Sequence, residues 1–219
     1  MTKVKICGIT NLEDAIVAVD AGADYLGFIF FPPSKRSIIQ PACQTIVSEL
    51  RSRPDCPILV GVFVNETAAH MAHIMQECDL DLAQLSGEEM PALIADQRSP
   101  LYGRSYKGLR PATLAEAEVE AEWYIALQHE SDHPTLLIDT YHPTLRGGTG
   151  ETGDWDMSAK LARTIPGLML AGGLNIGNVT AAVRHVRPFA VDVASGVEST
   201  PGKKNHQTMR QFIHRARAA

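Results

Sequence analysis

The sequence predicts an α/β protein, a single (β/α)8 barrel of eight parallel strands each followed by a helix. Three observations carry that prediction. A helical template of small or apolar residues at i, i+3, i+4 and i+7 recurs along the chain. Short, nearly continuous aliphatic runs lie between the copies, as expected of strands buried on both faces of a parallel sheet. Eight such units in 219 residues come to about 27 residues each, compact but sufficient for a barrel, whose lower size limit is about 200 residues. An open doubly wound sheet with fewer strands is the rival. No linker or low-complexity stretch divides the chain, so residues 1–219 read as one domain.

The elements follow in order. Residues 4–9 form a first strand near its end at Cys7-Gly8, and Leu12, Ala15, Ile16 and Val19 form the stripe of the first helix. Asn11 stands where a side-chain oxygen caps that helix, and Gly22 where a glycine stops it. Strand 25–30 leads into Pro32-Pro33-Ser34-Lys35-Arg36 and a helix over 41–50. The aliphatic run 58–64 is the third strand; Asn65 precedes the stripe Ala68, Met71, Ala72, Met75 as its expected cap. Strands at 82–85 and 104–109 alternate with helices at 90–95 and 113–126. Strand 136–138 ends on Asp139, and a glycine-rich loop, 146–153, leads to a helix at 158–163. The strand 168–171 runs into Gly172-Gly173, with Asn175 as the expected cap of the stripe Val179, Ala182, Val183, Val186. The strand 190–194 runs into Ser195-Gly196, and Met209, Phe212, Ile213 and Ala216 close the chain.

Composition narrows the function. A net charge of −5 argues against a broad basic surface for nucleic acid, while leaving local basic pockets for a phosphorylated small molecule. The four cysteines show neither CxxC spacing nor paired histidines, so no metal site and no redox pair is expected. The N-terminus has no signal-peptide apolar region, and no run approaches the ~18 residues of a membrane helix. Free thiols in a reducing cytoplasm are the expectation.

The candidate chemistry lies at strand ends, because parallel strands present their C-terminal ends on one face. Cys7 ends strand 1. Most cysteines are small buried hydrophobes, but a thiol at this position needs only modest help to supply a thiolate. Asp139 follows three aliphatic residues at the end of strand 6; partial burial would suit it to act as a general acid, whereas capping the next loop is its plainer use. Glycine turns after strands 7 and 8, at Gly172-Gly173 and Ser195-Gly196, fall where barrels habitually bind phosphate. Arg36 on the same face can hold a carboxylate bidentately. The loop 146–153 lacks a Gly-Lys-Ser/Thr ending, so a nucleotide is not expected there; it reads as a mobile substrate cover or a plain turn.

With these residues assembled, the chain resembles the phosphoribosylanthranilate isomerase family from end to end. The most specific pieces are Lys5-Ile6-Cys7-Gly8-Ile9-Thr10, Pro33-Ser34-Lys35-Arg36-Ser37, Gly61-Val62-Phe63-Val64-Asn65 and Gly147-Gly148-Thr149-Gly150 with Asp154-Trp155. Leu170-Ala171-Gly172-Gly173-Leu174-Asn175 with Asn178-Val179, and Val191-Asp192-Val193 with Ser195-Gly196-Val197-Glu198, complete the set. The resemblance implies an Amadori rearrangement of phosphoribosylanthranilate in tryptophan biosynthesis, without metal or organic cofactor. It implies Asp139 as general acid at the ring oxygen and Cys7 as general base at C2. Arg36 would lie near the anthranilate carboxylate, and Gly172, Gly173, Ser195 and Gly196 at the phosphate. It further implies a small-molecule substrate, no nucleic acid or membrane partner, and a monomer or homodimer. The family's strand-4 motif commonly reads Gln-Leu-His-Gly; here it is Gln84-Leu85-Ser86-Gly87, which keeps a hydrogen-bonding group but loses the ring. Another sugar-phosphate isomerase, or a non-catalytic phosphometabolite-binding barrel, remains the alternative.

Overall fold

A computed structural model describes residues 1–125, 133–139 and 154–219. Eight parallel strands close into a barrel in chain order: β1 (Lys3–Cys7), β2 (Tyr25–Ile29), β3 (Ile58–Phe63), β4 (Leu82–Leu85), β5 (Ser105–Leu109), β6 (Leu136–Ile138), β7 (Leu168–Leu170) and β8 (Ala190–Val193). Closure is made by β1 on β8, where Lys5 stands opposite Asp192 in register. The expected open-sheet alternative is therefore excluded.

The helices between them are α1 (Leu12–Asp20), α2 (Gln40–Arg51), α3 (Ala68–Glu77), α4 (Ala92–Ala95), α5 (Leu114–Tyr124), α6 (Trp155–Thr164), α7 (Val179–Val186) and α8 (His206–Arg217). Their apolar stripes pack on the outside of the barrel: Ala15, Ala18 and Val19 of α1, Val183 of α7 and Met209, Phe212 and Ile213 of α8 join one continuous core with Val4, Ile6, Leu26 and Phe28. Each large aliphatic side chain buried there contributes about 1.5–3 kcal/mol.

Two of the three expected caps differ. Asn11 does cap α1, accepting from the Asp14 N–H at 2.9 Å, and Gly22 follows the helix at φ +88°. Thr67, not Asn65, caps α3. Asn65 instead takes a left-handed backbone (φ 54°), and its Oδ1 accepts from the Glu88 N–H at 2.6 Å. Asn178, not Asn175, occupies the cap position of α7, and the two side chains form a local turn: Asn175 N–H donates to Asn178 Oδ1 at 2.8 Å. Asparagine marks all three places because it bonds its own backbone well, a property that serves turns as readily as caps.

Inside the barrel, every second residue of each strand points to the axis. Tyr25, Val60, Leu82, Tyr106, Leu137, Met169, Ala171 and Ala190 plug it. Over the plug lies a polar layer built from Lys5, Gln84, Asp192 and the Tyr106 hydroxyl. After β8, a 3-10 turn (Ser195–Val197) leads to a short hairpin, β9 (Glu198–Thr200) with β10 (Lys203–Lys204), which folds back over the end of β1.

Beneath the β3, β4 and β5 loops sits a second buried charge pair. Lys107 Nζ reaches Glu89 Oε2 at 2.6 Å and also donates to the Gly87 carbonyl. Glu89 accepts from the Asn65 and Gly87 amides at 2.8–3.0 Å, so one carboxylate ties two loops together. The Lys107→Met variant leaves that carboxylate buried without its cation; its unfolding free energy should drop by about 3–5 kcal/mol in denaturant titration.

Candidate active site

At the C-terminal face of the barrel the strand ends surround an open cleft. Cys7 from β1, Ser34 and Arg36 after β2, Ser86 after β4, Arg110 after β5 and Asp139 after β6 reach it. So do Gly172 and Gly173 after β7, with Asp192 and Ser195 from β8 and beyond. Six of the seven expected site residues thus share one cavity. Gly196 is the exception and does not line the cleft. A Cβ there would overlap the Leu174 carbonyl oxygen, so Gly196 serves the close approach of the β7 and β8 loops. The loop 146–153 lies outside the described residues, as does Thr140.

The geometry around Cys7 follows from two glycines. β1 stops at Cys7 because Gly8 takes φ +75°, and the Gly8 and Ile9 amides both donate to the Gly27 carbonyl, at 2.9 and 3.0 Å. A side chain on Gly8 would run into the Arg36 stem, 2.9 Å from its Cδ. Gly27 leaves the space that Cys7 Sγ fills, 2.8 Å from where a Cβ would stand. The thiol is buried, which pushes its pKa up; Lys5 and Lys204 pull it down, and Asp192 works against them.

Arg36 is held as well as present. Its Nε and Nη2 form a bidentate pair with Glu198, both at 2.8 Å. Lys204 Nζ completes the group, donating to the Cys7 carbonyl at 2.6 Å, the Ala194 carbonyl at 3.1 Å and Glu198 Oε1 at 3.1 Å. Burial pushes the Glu198 carboxyl up, but these two cations outweigh it and hold it below its ordinary range, while burial lowers the Lys204 ammonium. Arg36 therefore enters the cleft with one edge of its guanidinium engaged by Glu198.

Below Cys7, Lys5 Nζ donates to Gln84 Oε1 at 2.6 Å and lies 2.9 Å from Asp192 Oδ1. Tyr106 donates to the same Gln84 oxygen at 2.9 Å, and Gln84 Nε2 donates to Ser86 Oγ at 3.0 Å. Ser86, where the family motif more commonly has a histidine, is thus linked through Gln84 to Lys5. Motif reading names Lys5, Gln84, Asp192 and Glu198 but assigns them no role, and it does not reach Lys204. The signal was available for two of them: Lys5 stands between Val4 and Ile6, and Asp192 between Val191 and Val193. A charge flanked by aliphatics in a buried strand must face the barrel axis. Among the described residues, no group of three or more His, Cys, Asp or Glu side chains is placed to hold a metal ion.

The arrangement can give a proton from one strand end and take one at another, beside glycine backbone that accepts an anion. Known proteins share the chain's sequence pattern and fold. Residues 4–215 match the family model described as N-(5'-phosphoribosyl)anthranilate (PRA) isomerase. An N-(5'-phosphoribosyl)anthranilate isomerase from Pelobacter propionicus is 42% identical over 217 residues, covering 99% of this chain and 96% of that one. The solved phosphoribosyl anthranilate isomerase of Thermotoga maritima is 38% identical with a TM-score of 0.86, covering all of both chains. Another solved phosphoribosyl anthranilate isomerase, in complex with reduced 1-(o-carboxyphenylamino)-1-deoxyribulose 5-phosphate, is 35% identical with a TM-score of 0.80, again over all of both chains.

The overlap at Gly196 yields a test. Gly196→Ala drives a methyl group into backbone and should cost about 3 kcal/mol of stability, read as a lower denaturant midpoint with an unchanged slope.

Proposed function

The chain belongs to the N-(5'-phosphoribosyl)anthranilate isomerase family, and from that premise we propose that Cys7 and Asp139 divide the proton transfers of its reaction. It is an aldose–ketose isomerase of tryptophan biosynthesis. In this reading phosphoribosylanthranilate lies across the cleft, its phosphate at Gly172, Gly173 and Ser195 and its anthranilate toward Arg36. Asp139 protonates the furanose oxygen, and the ring opens to a protonated imine. Cys7 takes the proton from C2; that electron pair forms the C1–C2 double bond, and the imine pair returns to nitrogen. The resulting enolamine tautomerises to the ketone, so atoms and charge balance within one substrate molecule.

One observation carries the assignment. Cys7 on β1 and Asp139 after β6 open onto the same cleft, and the strands between them around the barrel, β7 and β8, are those bearing the Gly172-Gly173 turn and Ser195. A substrate anchored by its phosphate on that arc has the thiol on one side and the acid on the other. Gly172 and Gly173, at φ +90° and +62°, expose backbone there without side chains in the way. The phosphate reading extends to Gly196 only through backbone position. The protein acts as a monomer or homodimer on this small-molecule substrate. The reading places it in the cytoplasm, where its four free thiols stay reduced; no helix of the described residues is long and apolar enough to cross a membrane.

Purified protein should convert phosphoribosylanthranilate, and Cys7→Ala and Asp139→Ala should each lower kcat by about 10²–10⁴ while inorganic phosphate still inhibits at wild-type concentrations. Full turnover in either variant removes its assigned role. The pH profile has a definite sign. A base acts deprotonated, and burial raises the Cys7 pKa above its ordinary value, so kcat/KM should climb with pH through neutrality, about tenfold per unit on that limb.

A further inference from the structure

The geometry points to Lys5 as the positioning residue for the base: its buried ammonium, clamped by Asp192 and Gln84, favours the thiolate of Cys7 against the cost of burial without touching substrate. This rests on Cys7 being the base. Lys5 and Cys7 are two residues apart on β1, so both face the barrel axis, one layer above the other. Gly27 on the neighbouring strand makes room for both: a Cβ there would stand 2.8 Å from Cys7 Sγ and 3.2 Å from Lys5 Cε. Lys5 is fully buried, and its ammonium is fixed by Gln84 Oε1 at 2.6 Å and Asp192 Oδ1 at 2.9 Å. Its charge acts on the sulfur and lowers the cost of the thiolate. Burial alone pulls the Lys5 pKa down, but Asp192, with Cys7 and Tyr106 beside it, more than reverses that, so Lys5 stays an ammonium at every working pH.

A buried ion pair is poor value for stability alone, since an apolar pair of similar volume serves as well or better. The charge count around Cys7 shows what this one supplies. Lys5 from β1 and Lys204 from the β9–β10 hairpin act on it as cations, and Arg36 from the β2 loop shares Glu198 with Lys204. Asp192 from β8 and Glu198 from the hairpin are the opposing carboxylates. Tyr106 on β5 is pushed up by burial and stays neutral, and Asp139 across the cleft is protonated when it serves as the acid. Three cations against two anions leave one positive charge, which a Cys7 thiolate neutralises. Arg36 and Lys204 are both paired with Glu198, and Lys204 also donates to two backbone carbonyls. Lys5 is the cation that stands under the sulfur.

The test is the pH dependence of iodoacetamide alkylation of Cys7 in the intact protein, followed on its own peptide by mass spectrometry. Lys5→Met should move the midpoint up by about one pH unit or more, a tenfold loss of thiolate at fixed pH, and carry the rising limb of kcat/KM with it. Asp192→Asn removes the opposing anion and should move the same midpoint down. A folded Lys5→Met protein with an unmoved midpoint overturns the proposal. If Lys5→Met does not fold, an Asp192→Asn midpoint that stays or rises overturns it instead. Turnover by Cys7→Ala, measured alongside, separates the two failures: activity there ends the role of Cys7 as base, whereas the alkylation profile judges Lys5.

Discussion

Closure of the sheet between its first and last strands is the constraint on which the site depends. β1 and β8 are distant in sequence and meet only when the barrel is complete, with Lys5 opposite Asp192 at the seam. The hairpin that follows β8 then returns to the same seam, where Lys204 donates to the Cys7 carbonyl and the Lys204 amide to Asp14 on α1. His206, opening α8, adds a second bond to Asp14 at 2.8 Å. Thr10 donates to the Gly202 carbonyl at 2.5 Å from the other side. The Cys7 end of β1 is thus held by segments from the end of the chain, and an unclosed barrel has no ordered thiol.

Charge at this seam is arranged so that burial does not defeat function. A lone thiolate in an apolar barrel would be strongly disfavoured. Here every buried charge has a partner: Lys5 with Asp192, and Glu198 with Arg36 and Lys204 together. The Lys107–Glu89 pair has a different task, because its carboxylate accepts backbone amides from two loops and so fixes their conformation. One buried pair tunes chemistry and the other sets loop shape, although both read in sequence as a charged residue among apolar ones.

That distinction marks where sequence reading succeeds and stops. The barrel was legible because strand and helix periodicities are local, and repeated eight times they admit few topologies. The strand-end positions of Cys7 and Asp139 on one cleft were legible because each ends an aliphatic run. Asn65 and Asn175 misled because asparagine stabilises turns and caps by the same side-chain bond. Gly196 shows that in sequence a glycine needed for a close approach to Leu174 looks the same as one that exposes backbone to a ligand. The Arg36–Glu198 pair joins positions 162 residues apart, and nothing local to either announces the other.

Lys5 shows how much the period-2 rule can still extract once a strand is known. With Cys7 at a strand end and facing the cleft, Lys5 must face the axis one layer below, and an ammonium there requires an anion. The other strands offer few inward positions at that height, and Asp192, opposite Lys5 across the seam, is the one that is acidic. A lysine in place of an aliphatic residue under a reactive thiol makes the strand less stable as a piece of core and more useful as a source of charge. The substitution that best defines this site is therefore the buried cation beneath the cysteine, since a thiol alone in that barrel would remain a small hydrophobe.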